Sequence, residues 1–391
     1  MSDAEVEPPK PENLQPTRRG VLIGAVAATV GAVAGVAAGA AVVNPQQLNA
    51  PLPAAEPGAP VDATGANQAG IARPHTPQRF GRVRVLDVAD GADPTGWLAE
   101  LGGRILELTA GVPLVLPDGA GDLTVTVGLG PRIVAAIDPE MPGTAELPSF
   151  AGDDSIPASA RGGDLLLAVY SSDPGSLAPV LDDLGALVPA ASTRWEQAVF
   201  RAPGEGTKTR NPLGFHDGVI VPKGDAELDE NVWIASGAAA GGAICVIRRL
   251  RLDAERFRAL PVDGQEKIFG RRRDTGAPLS GGGPDAQIDL SARTPEGDPV
   301  VPADAHARAA HPSFTGSALM LRRGYAFDNG DGDSGLMFIC FQHDLRTFTA
   351  TQQRLDDVDA LREFTHATAS ATFLILPGFD RDRPLGSTLR A

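Results

Sequence analysis

One order of strand-like and helix-like segments occurs twice along this chain, and that repetition constrains the fold more than any other feature. Strands are recognised by alternating or continuous apolar runs, and helices by apolar residues three and four positions apart. The first set comprises strands at 82–88, 123–129, 164–171 and 195–201 and helices at 94–108 and 176–188. This β-α-β-β-α-β order is typical of a ferredoxin-like domain.

The second half of the chain has the same order of elements. Its predicted segments are strands at 242–252, 318–327, 335–342 and 371–377 and helical segments at 253–269 and 344–364. We therefore predict an α+β fold of two ferredoxin-like β-α-β-β-α-β domains packed together, at 68–222 and 223–391. The second half also contains a long insertion, 270–317, rich in Gly, Pro and Asp. A loop of that length in a compact domain is often functional.

The N-terminal part of the chain has the composition of a leader and a tether. Arg18 and Arg19 precede an uncharged run, 20–43, that is rich in Ala, Gly and Val and resembles a twin-arginine export signal. We predict this signal at 1–43 and a flexible linker at 44–67. The alternative is a membrane anchor, because the run is long enough to span a bilayer. Its Ala and Gly content makes it a weak anchor.

A twin-arginine signal implies a location and a partner. The protein would be exported by the twin-arginine translocase to the extracellular or cell-envelope side, and we expect no stable membrane association after cleavage. That route carries proteins that fold before export. It therefore suits a protein that must acquire a cofactor first.

Charge and cysteine content exclude two classes of protein. The net charge of −15, without a basic stripe, would repel phosphate backbones, so nucleic acid is not an expected partner. Cys245 and Cys340 lie in apolar runs without a histidine at ligand spacing, so no zinc site is expected. We predict two buried free thiols, with a disulfide as the alternative.

A glycine-framed motif lies near the middle of the chain, where Gly214 and Gly218 bracket Phe215, His216 and Asp217. Asp-Gly is a common turn dipeptide, so a turn without a function is one interpretation. The other is that the turn holds the Asp217 carboxylate where it can move a proton. These five residues alone do not decide between the two.

Two more candidates follow in the second half. His306 lies in the insertion, where a lone histidine is more often structural or solvated than a metal ligand. Arg322 and Arg323 lie in an otherwise apolar strand, and strand alternation sends one of them to each face. A buried guanidinium needs a partner. We expect either an ion pair between strands or a charge beside a reactive centre.

A carboxylate, an imidazole and an inward guanidinium together suit an open-sided haem. The imidazole would give the iron its axial ligand. A carboxylate on the opposite face would move a proton from one peroxide oxygen to the other. The guanidinium would stabilise the negative charge that develops as the O–O bond breaks.

Six motifs resemble those of the dye-decolorizing peroxidase family, in that family's order. They are QAGI at 68–71 followed by Pro74, GFHDG at 214–218, IFGRRRDTGAPLSGG at 268–282, DAHARAAHP at 304–312, LRRGYAF at 321–327 and GLMFICFQ at 335–342. The leader also resembles that of exported members. One departure is the run 219–222, Val-Ile-Val-Pro, where many relatives have Asn-Pro. It can alter the distal opening but leaves Asp217 in place.

The resemblance implies haem b, bound mainly by the C-terminal half, and a role for each polar candidate. His306 becomes the proximal iron ligand, and Asp217 becomes the distal acid–base. Arg322 becomes the distal arginine, with Arg323 as the alternative. Arg271, in the FGR segment, is predicted to contact a haem propionate on charge grounds.

The resemblance also implies apolar walls and limited roles for other residues near the haem. Leu336 and Phe338 would line the distal pocket and keep water away from the iron. His216 is interpreted as a residue at the pocket rim, with a second catalytic base as the alternative. Electrons from large donors would enter through surface aromatic residues. The tryptophans and tyrosines of the chain are Trp97, Trp195, Trp233, Tyr170 and Tyr325, and most of them are expected to serve only in packing.

The implied function is a haem-dependent peroxidase that reduces hydrogen peroxide and oxidises dye-like or phenolic organic donors in one-electron steps. The first alternative is a haem-binding protein that releases iron during iron acquisition, like a deferrochelatase, because the same axial histidine would serve it. The second is a ferredoxin-like binding module without haem.

Overall fold

The computed structural model describes residues 58–91, 93–111 and 115–390. The predicted signal at 1–43 and the first part of the predicted linker, 44–57, lie outside the described residues. Within the described ranges, no helix is both long and apolar enough to cross a membrane.

The first half forms a four-stranded antiparallel sheet. Its elements are β1 (Phe80–Asp87), α1 (Pro94–Thr109), β2 (Thr124–Leu129), α2 (Pro131–Ile137), β3 (Leu165–Ser171), α3 (Leu177–Gly185) and β4 (Ser192–Phe200). The strand order is β4-β1-β3-β2. Pro94 at the start of α1 has the fixed φ that a first helical turn requires, and the Asp93 carboxylate accepts from the Thr95 backbone N–H at 3.0 Å.

Short elements connect the two halves, and the second half then repeats the arrangement. The connecting elements are β5 (Thr209–Arg210), β6 (His216–Asp217) and α4 (Gly224–Asn231). The second half contains β7 (Ala243–Leu252), α5 (Ala254–Arg258), α6 (Val262–Phe269), α7 (His306–Ala309), β8 (Leu321–Arg322), β9 (Tyr325–Asp328), β10 (Ser334–Gln342), α8 (Leu345–Val358) and β11 (Thr365–Ile375). Short 3₁₀ helices lie at Asp153–Ser155, Ala158–Ala160, Pro174–Ser176, Pro312–Phe314, Ala360–Phe364 and Ser387–Arg390.

The second sheet has the order β11-β7-β10-β9, so fourth, first, third and second strands lie side by side in both halves. The predicted α+β fold of two ferredoxin-like units is therefore confirmed. The predicted boundary at 222/223 falls between β6 and α4. The exact division into domains stays a prediction.

The two sheets are joined along both edges, so eight strands form a closed ring. At one edge β2 pairs with β11, and at the other β4 pairs with β9 through Phe200 and Ala326. The Gln68 amide extends the first junction, because its Nε2 donates to the carbonyls of Val127 and Leu376 at 3.0 and 2.9 Å. This glutamine belongs to the QAGI motif, so the motif has a structural use in this chain.

Three apolar layers follow from strand alternation. The interior of the ring, called the barrel core here, contains side chains from both sheets, among them Val83, Val85, Leu166, Tyr170, Ile247, Tyr325, Met337 and Phe373. A second layer lies between the outer face of the first sheet and helices α1 and α3. On the outer face of the second sheet the apolar residues form smaller clusters, and these border a cavity.

Three predicted boundaries were wrong. The last strand begins at Thr365 instead of 371, because its first residues, THATAS, are small or polar and carry no apolar pattern. The predicted strand at 318–327 is divided into β8 and β9, with Arg323 and Gly324 between them. The helical prediction to 364 extends past the end of α8 at Val358.

The two cysteines are buried free thiols, as predicted.

Candidate functional site

A cavity lies on the outer face of the second sheet. Its floor comes from β7, β10 and β11, and its walls come from α8, the loop before β6 and the insertion 270–317. All six residues predicted for the site line it, namely Asp217, Arg271, His306, Arg322, Leu336 and Phe338. They come from parts of the chain more than 100 residues apart, so the fold brings them together.

The Asp217 carboxylate is held by its own turn. Asp217 pairs with Thr209 in the β5–β6 ribbon, and its Oδ1 accepts from the Gly218 backbone N–H at 2.6 Å. Gly218 has φ of 72°, and a Cβ there would overlap the carbonyl oxygen of Thr207. Only glycine suits that position. The turn therefore fixes Asp217, and its Oδ2 has no hydrogen-bond partner among the described residues.

Arg322 lies beside Asp217 in the cavity. Its Nε is 3.6 Å from Asp217 Oδ1, and its Nη1 donates to the Ile220 carbonyl at 3.0 Å. Both side chains are 27% exposed, so the pair remains open to the cavity. Arg323 has the opposite orientation and is only 2% exposed, with Nη1 donating to the Ile71 carbonyl. Alternation thus places Arg322, and not Arg323, beside the carboxylate.

His306 lies across the cavity at the first position of α7. Its Nδ1 is 2.7 Å from Asp359 Oδ2, and Asp359 is itself fixed because its Oδ1 accepts from the Leu361 backbone N–H at 2.9 Å. Burial lowers the pKa of His306, but the Asp359 carboxylate outweighs burial and holds the pKa above its usual value. The imidazole Nε2 has no hydrogen-bond partner among the described residues. This nitrogen is free to bind a metal.

Asp359 was missed by sequence reasoning. It lies 53 residues after His306, in a run of aspartates that ends α8, and nothing in that run distinguishes it. Chemistry alone predicts some acceptor for the second ring nitrogen, because such an acceptor fixes the tautomer of a metal-binding histidine. Its identity required the structure.

An aromatic cluster links the glycine-framed turn to His306. It was not predicted from the sequence. Phe215 is buried and stacks on Phe269 with ring centroids 3.8 Å apart. Phe269 in turn contacts the His306 ring edge-on at 6.0 Å. The middle residue of the glycine-framed motif is therefore an apolar anchor. Its burial leaves Asp217 facing the cavity.

Arg271 is buried and has three backbone partners. Its Nη1 donates to the carbonyls of Gly276 and Pro284, and its Nη2 donates to that of Ala286. Burial lowers the pKa of Arg271, and nearby Arg322 lowers it further. No carboxylate forms an ion pair with Arg271 within the described ranges. Its predicted contact with a haem propionate stays a prediction, and its uncompensated charge favours an anionic neighbour.

The apolar wall comes from strand alternation on β10. Leu336 and Phe338 are half-buried and face the cavity, whereas Met337 and Ile339 point into the barrel core. Phe338 also packs near Phe348 of α8, with ring centroids 5.9 Å apart. The predicted apolar residues therefore lie on the cavity side of the sheet.

His216 lies at the edge of the cavity. Burial, followed by the charges of Arg210, Lys208 and Arg271, lowers its pKa below the usual histidine value. Its half-buried position in the cavity lining agrees with the interpretation as a rim residue. The tryptophans and tyrosines are mostly packed in the interior, since Trp97, Trp233, Tyr170 and Tyr325 are all buried and Trp195 is half-buried.

The residues of this cavity fit a haem. The Nε2 atom of His306, which has no hydrogen-bond partner among the described residues, lies in a cavity bounded by apolar side chains. Arg271 has no carboxylate partner among the described residues, and the carboxylate partner of Arg322 is Asp217, at 3.6 Å. Within the described ranges, no group of three or more His, Cys, Asp or Glu residues forms an all-protein metal site. A single histidine ligand suits iron held by a macrocycle.

The doubled ferredoxin-like fold with this cavity defines a class of α+β haem proteins. The sequence profile described as "Dyp-type peroxidase, C-terminal" matches residues 208–380. A dye-decolorizing peroxidase from Thermobifida fusca is 35% identical, with 97% of this chain and 99% of the relative aligned. The chain belongs to the DyP-type peroxidase family.

Solved structures agree with this assignment. Ferric DtpA from Streptomyces lividans superimposes with a TM-score of 0.80 at 30% identity, over 88% of this chain and all of that one. A DyP-type peroxidase from Cellulomonas bogoriensis gives 0.78 at 32% identity, over 86% and 99%. The predicted haem b cofactor and peroxidase activity are therefore confirmed.

The two alternative functions are not favoured by the relatives. A deferrochelatase from Escherichia coli is 32% identical over 70% of each chain, and it matches less of this chain than the peroxidase does. The deferrochelatases belong to the same family, so their similarity does not favour iron release over peroxide reduction. The second alternative, a ferredoxin-like binding module without haem, is wrong because the chain belongs to a family of haem peroxidases.

Proposed function

We propose that the protein reduces hydrogen peroxide in the cavity described above and oxidises dye-like or phenolic organic donors in one-electron steps. One observation carries the proposal: the Asp217–Arg322 pair and the Asp359-supported His306 line the same cavity. Bound haem would supply the redox chemistry, giving electrons to peroxide and taking single electrons from the organic donors. The protein residues hold the cofactor, move protons and stabilise charge.

His306 would hold the iron through Nε2. The Asp359 carboxylate would accept a hydrogen bond from Nδ1–H, so the lone pair of the neutral ring would reside on Nε2. The edge of Phe269 and the start of α7 restrict the ring orientation. This arrangement gives a strongly basic, fixed ligand.

Asp217 and Arg322 would act on peroxide from the other side. Asp217 takes a proton from one peroxide oxygen and returns it to the other, which then leaves as water. Arg322 remains charged throughout and stabilises the negative charge on the separating oxygens. Leu336 and Phe338 limit the access of bulk water, so both polar groups act in a medium of low polarity.

The test separates the two roles by their pH dependence. Asp217→Ala is expected to slow the first spectral change of the haem after peroxide addition by about 10²–10⁴. Arg322→Ala is expected to slow it by about 2.7–4 kcal/mol in activation free energy. Because these ranges overlap, stopped-flow rates are measured across acidic pH, with Asp285→Ala as the matched control, since Asp285 is exposed and pairs with Lys208.

The rate of the native protein should decline in acid, because the proposed transfer needs a carboxylate that can take a proton. Asp217→Ala should abolish that decline, whereas Arg322→Ala should keep it at a lower rate. An Asp217→Ala protein with the native rate and pH profile would show that the glycine-framed Asp is only a turn residue. The proposed proton transfer would then be wrong.

Export is proposed separately, on the leader alone. Arg18 and Arg19 ahead of the run at 20–43 support transport by the twin-arginine translocase to the extracellular or cell-envelope side. Replacing both with Lys should leave folded, haem-loaded protein in the cytoplasm, as measured by fractionation. Normal secretion of the double variant would contradict this route.

A further inference from the structure

A cluster of buried polar side chains lies in the barrel core, on the other side of the second sheet from the cavity. It consists of Arg201, Arg323 and Tyr325, whose exposed fractions are 6%, 2% and 1%. Tyr325 pairs in register with Met337, which points into the barrel core. The ring of Tyr170 stacks on that of Tyr325 at 5.2 Å. The cluster is therefore surrounded by apolar groups and takes no part in the reaction proposed above.

Several donors of this cluster are buried without a partner in the part of the chain that the structure describes. Arg323 uses Nη1 on the Ile71 and Pro74 carbonyls at 2.5 and 3.1 Å, whereas its Nε and Nη2 have no partner. Arg201 uses Nη2 on the Thr207 carbonyl at 3.0 Å, whereas its Nη1 has none. The Tyr325 hydroxyl also lacks a partner. Buried polar groups are rarely left in this condition.

The unpartnered N–H groups of Arg201 and Arg323 lie close to the Tyr325 hydroxyl. Burial raises the pKa of Tyr325, and the adjacent Arg323 and Arg201 guanidiniums oppose that rise, so both charges lie close to the hydroxyl. The Arg201 guanidinium carbon is also 5.6 Å from the centre of the Tyr325 ring. The three polar groups are therefore close together, and the hydroxyl and the free N–H groups of both arginines have no partner that meets hydrogen-bonding geometry among the described residues.

The charge of the cluster is uncompensated. Neither Arg201 nor Arg323 forms an ion pair with any described residue. Both guanidiniums keep their proton under ordinary conditions, so two like charges are adjacent in a medium of low polarity. A water molecule would satisfy the hydrogen bonds but would leave the positive charge of the two arginines unbalanced. An anion would satisfy both the donors and the charge.

We propose that Arg201, Arg323 and Tyr325 form a buried site for one small monovalent inorganic anion of the halide class, with chloride as its common occupant. The Tyr325 hydroxyl and the free N–H groups of both arginines donate to it. The stacked Tyr170 ring and the other apolar side chains of the barrel core pack around the cluster, which favours a small anion over a bulky oxyanion. Because Arg323 also holds the Ile71 and Pro74 carbonyls, the anion would link the N-terminal loop to β9 and to the end of β4.

Two measurements test the site with bromide as the probe. Crystals of the haem-loaded protein grown in sodium bromide should show an anomalous peak between Arg201, Arg323 and the Tyr325 hydroxyl. In solution, bromide replaces gluconate at constant ionic strength while chemical unfolding is followed. At a hundred times its dissociation constant, bromide should lower the unfolding equilibrium constant about 100-fold, which equals about 2.7 kcal/mol.

Arg323→Gln and Arg201→Gln should each abolish the bromide dependence. The matched control is Arg249→Gln, because Arg249 is also largely buried but is paired with Asp333 at 2.5 Å. The control should unfold more easily yet keep the native bromide dependence. Should neither site variant fold, the diffraction experiment on the native protein decides alone.

Three results would overturn the proposal. The first is a water molecule at the site without an anomalous peak. The second is a bromide dependence that persists in Arg323→Gln or Arg201→Gln. The third is a bromide peak in the crystal without any effect on unfolding in solution, which would indicate an adventitious ion only.

Discussion

The outer faces of the two sheets have the same strand order but different coverings. On the first sheet, Leu98 and Leu101 of α1 and Leu181 of α3 belong to one apolar cluster with Leu165 and Leu167 of β3, and all five side chains are fully buried. The second sheet carries its cavity at the corresponding place. The same order of elements therefore gives a dry interface in one half and a cofactor site in the other.

The covering helix explains much of this difference. Of the three buried residues of α8, only Phe348 is apolar, whereas Thr347 and Thr351 are not. Arg248 of β7 adds a charge to the second sheet, where it is paired with Asp153 at 2.5 Å. A helix with so few apolar residues cannot close the sheet by burial alone. The remaining surface is left for an apolar cofactor and for the insertion that holds His306.

The largest expected effect compares one leucine from each face. Leu167→Ala removes a fully buried side chain from the first interface and should lower the free energy of unfolding by about 2–5 kcal/mol. Leu336→Ala, on the cavity wall, should cost the haem-free protein less than about 2 kcal/mol, because its side chain is only half-buried. Urea unfolding of both haem-free variants measures the difference. Equal losses would mean that the cavity wall is packed like the first interface.

The next effect concerns the support of His306. Asp359→Asn keeps a side-chain oxygen for the Leu361 N–H but removes the charged acceptor from His306 Nδ1. Haem affinity should fall about 10–100-fold. Transfer of haem to an apoprotein acceptor measures it, with the exposed Asp357→Asn as the control. Native affinity in Asp359→Asn would show that Asp359 is not needed for haem binding.

The smallest effect is a change in the pH dependence of stability at the rim of the cavity. The pKa of His216 is lowered in the folded protein, first by burial and then by Arg210. The unfolded chain therefore binds the proton more readily, and stability should decline as pH falls through the ordinary histidine value of 6.5. His216→Gln should remove this part of the decline in urea unfolding between about pH 7 and 5. An unchanged pH dependence in His216→Gln would mean that other groups cause the decline in stability.

Local patterns predicted most of the fold because strands such as β1 and β3 alternate or run apolar over their whole length. They did not predict the start of β11, where small polar residues pair with β7 only in the assembled sheet. The candidate residues Asp217, His306 and Arg322 were recognisable from residue type, spacing and resemblance. The contacts of His306 with Asp359 and Phe269 join distant parts of the chain. No local pattern contains such contacts.

Haem ligation by His306 at the second sheet is the central claim, and an axial-ligand rescue tests it most directly. The haem-loaded His306→Gly protein should lose the native ferric absorption spectrum and most of its haem, because no other imidazole is supported in that position. Added imidazole should restore both. His311→Gly is the matched control, since His311 lines the same cavity but caps a 3₁₀ turn through Ser313. A native spectrum in His306→Gly, together with its loss in His311→Gly, would contradict the assignment.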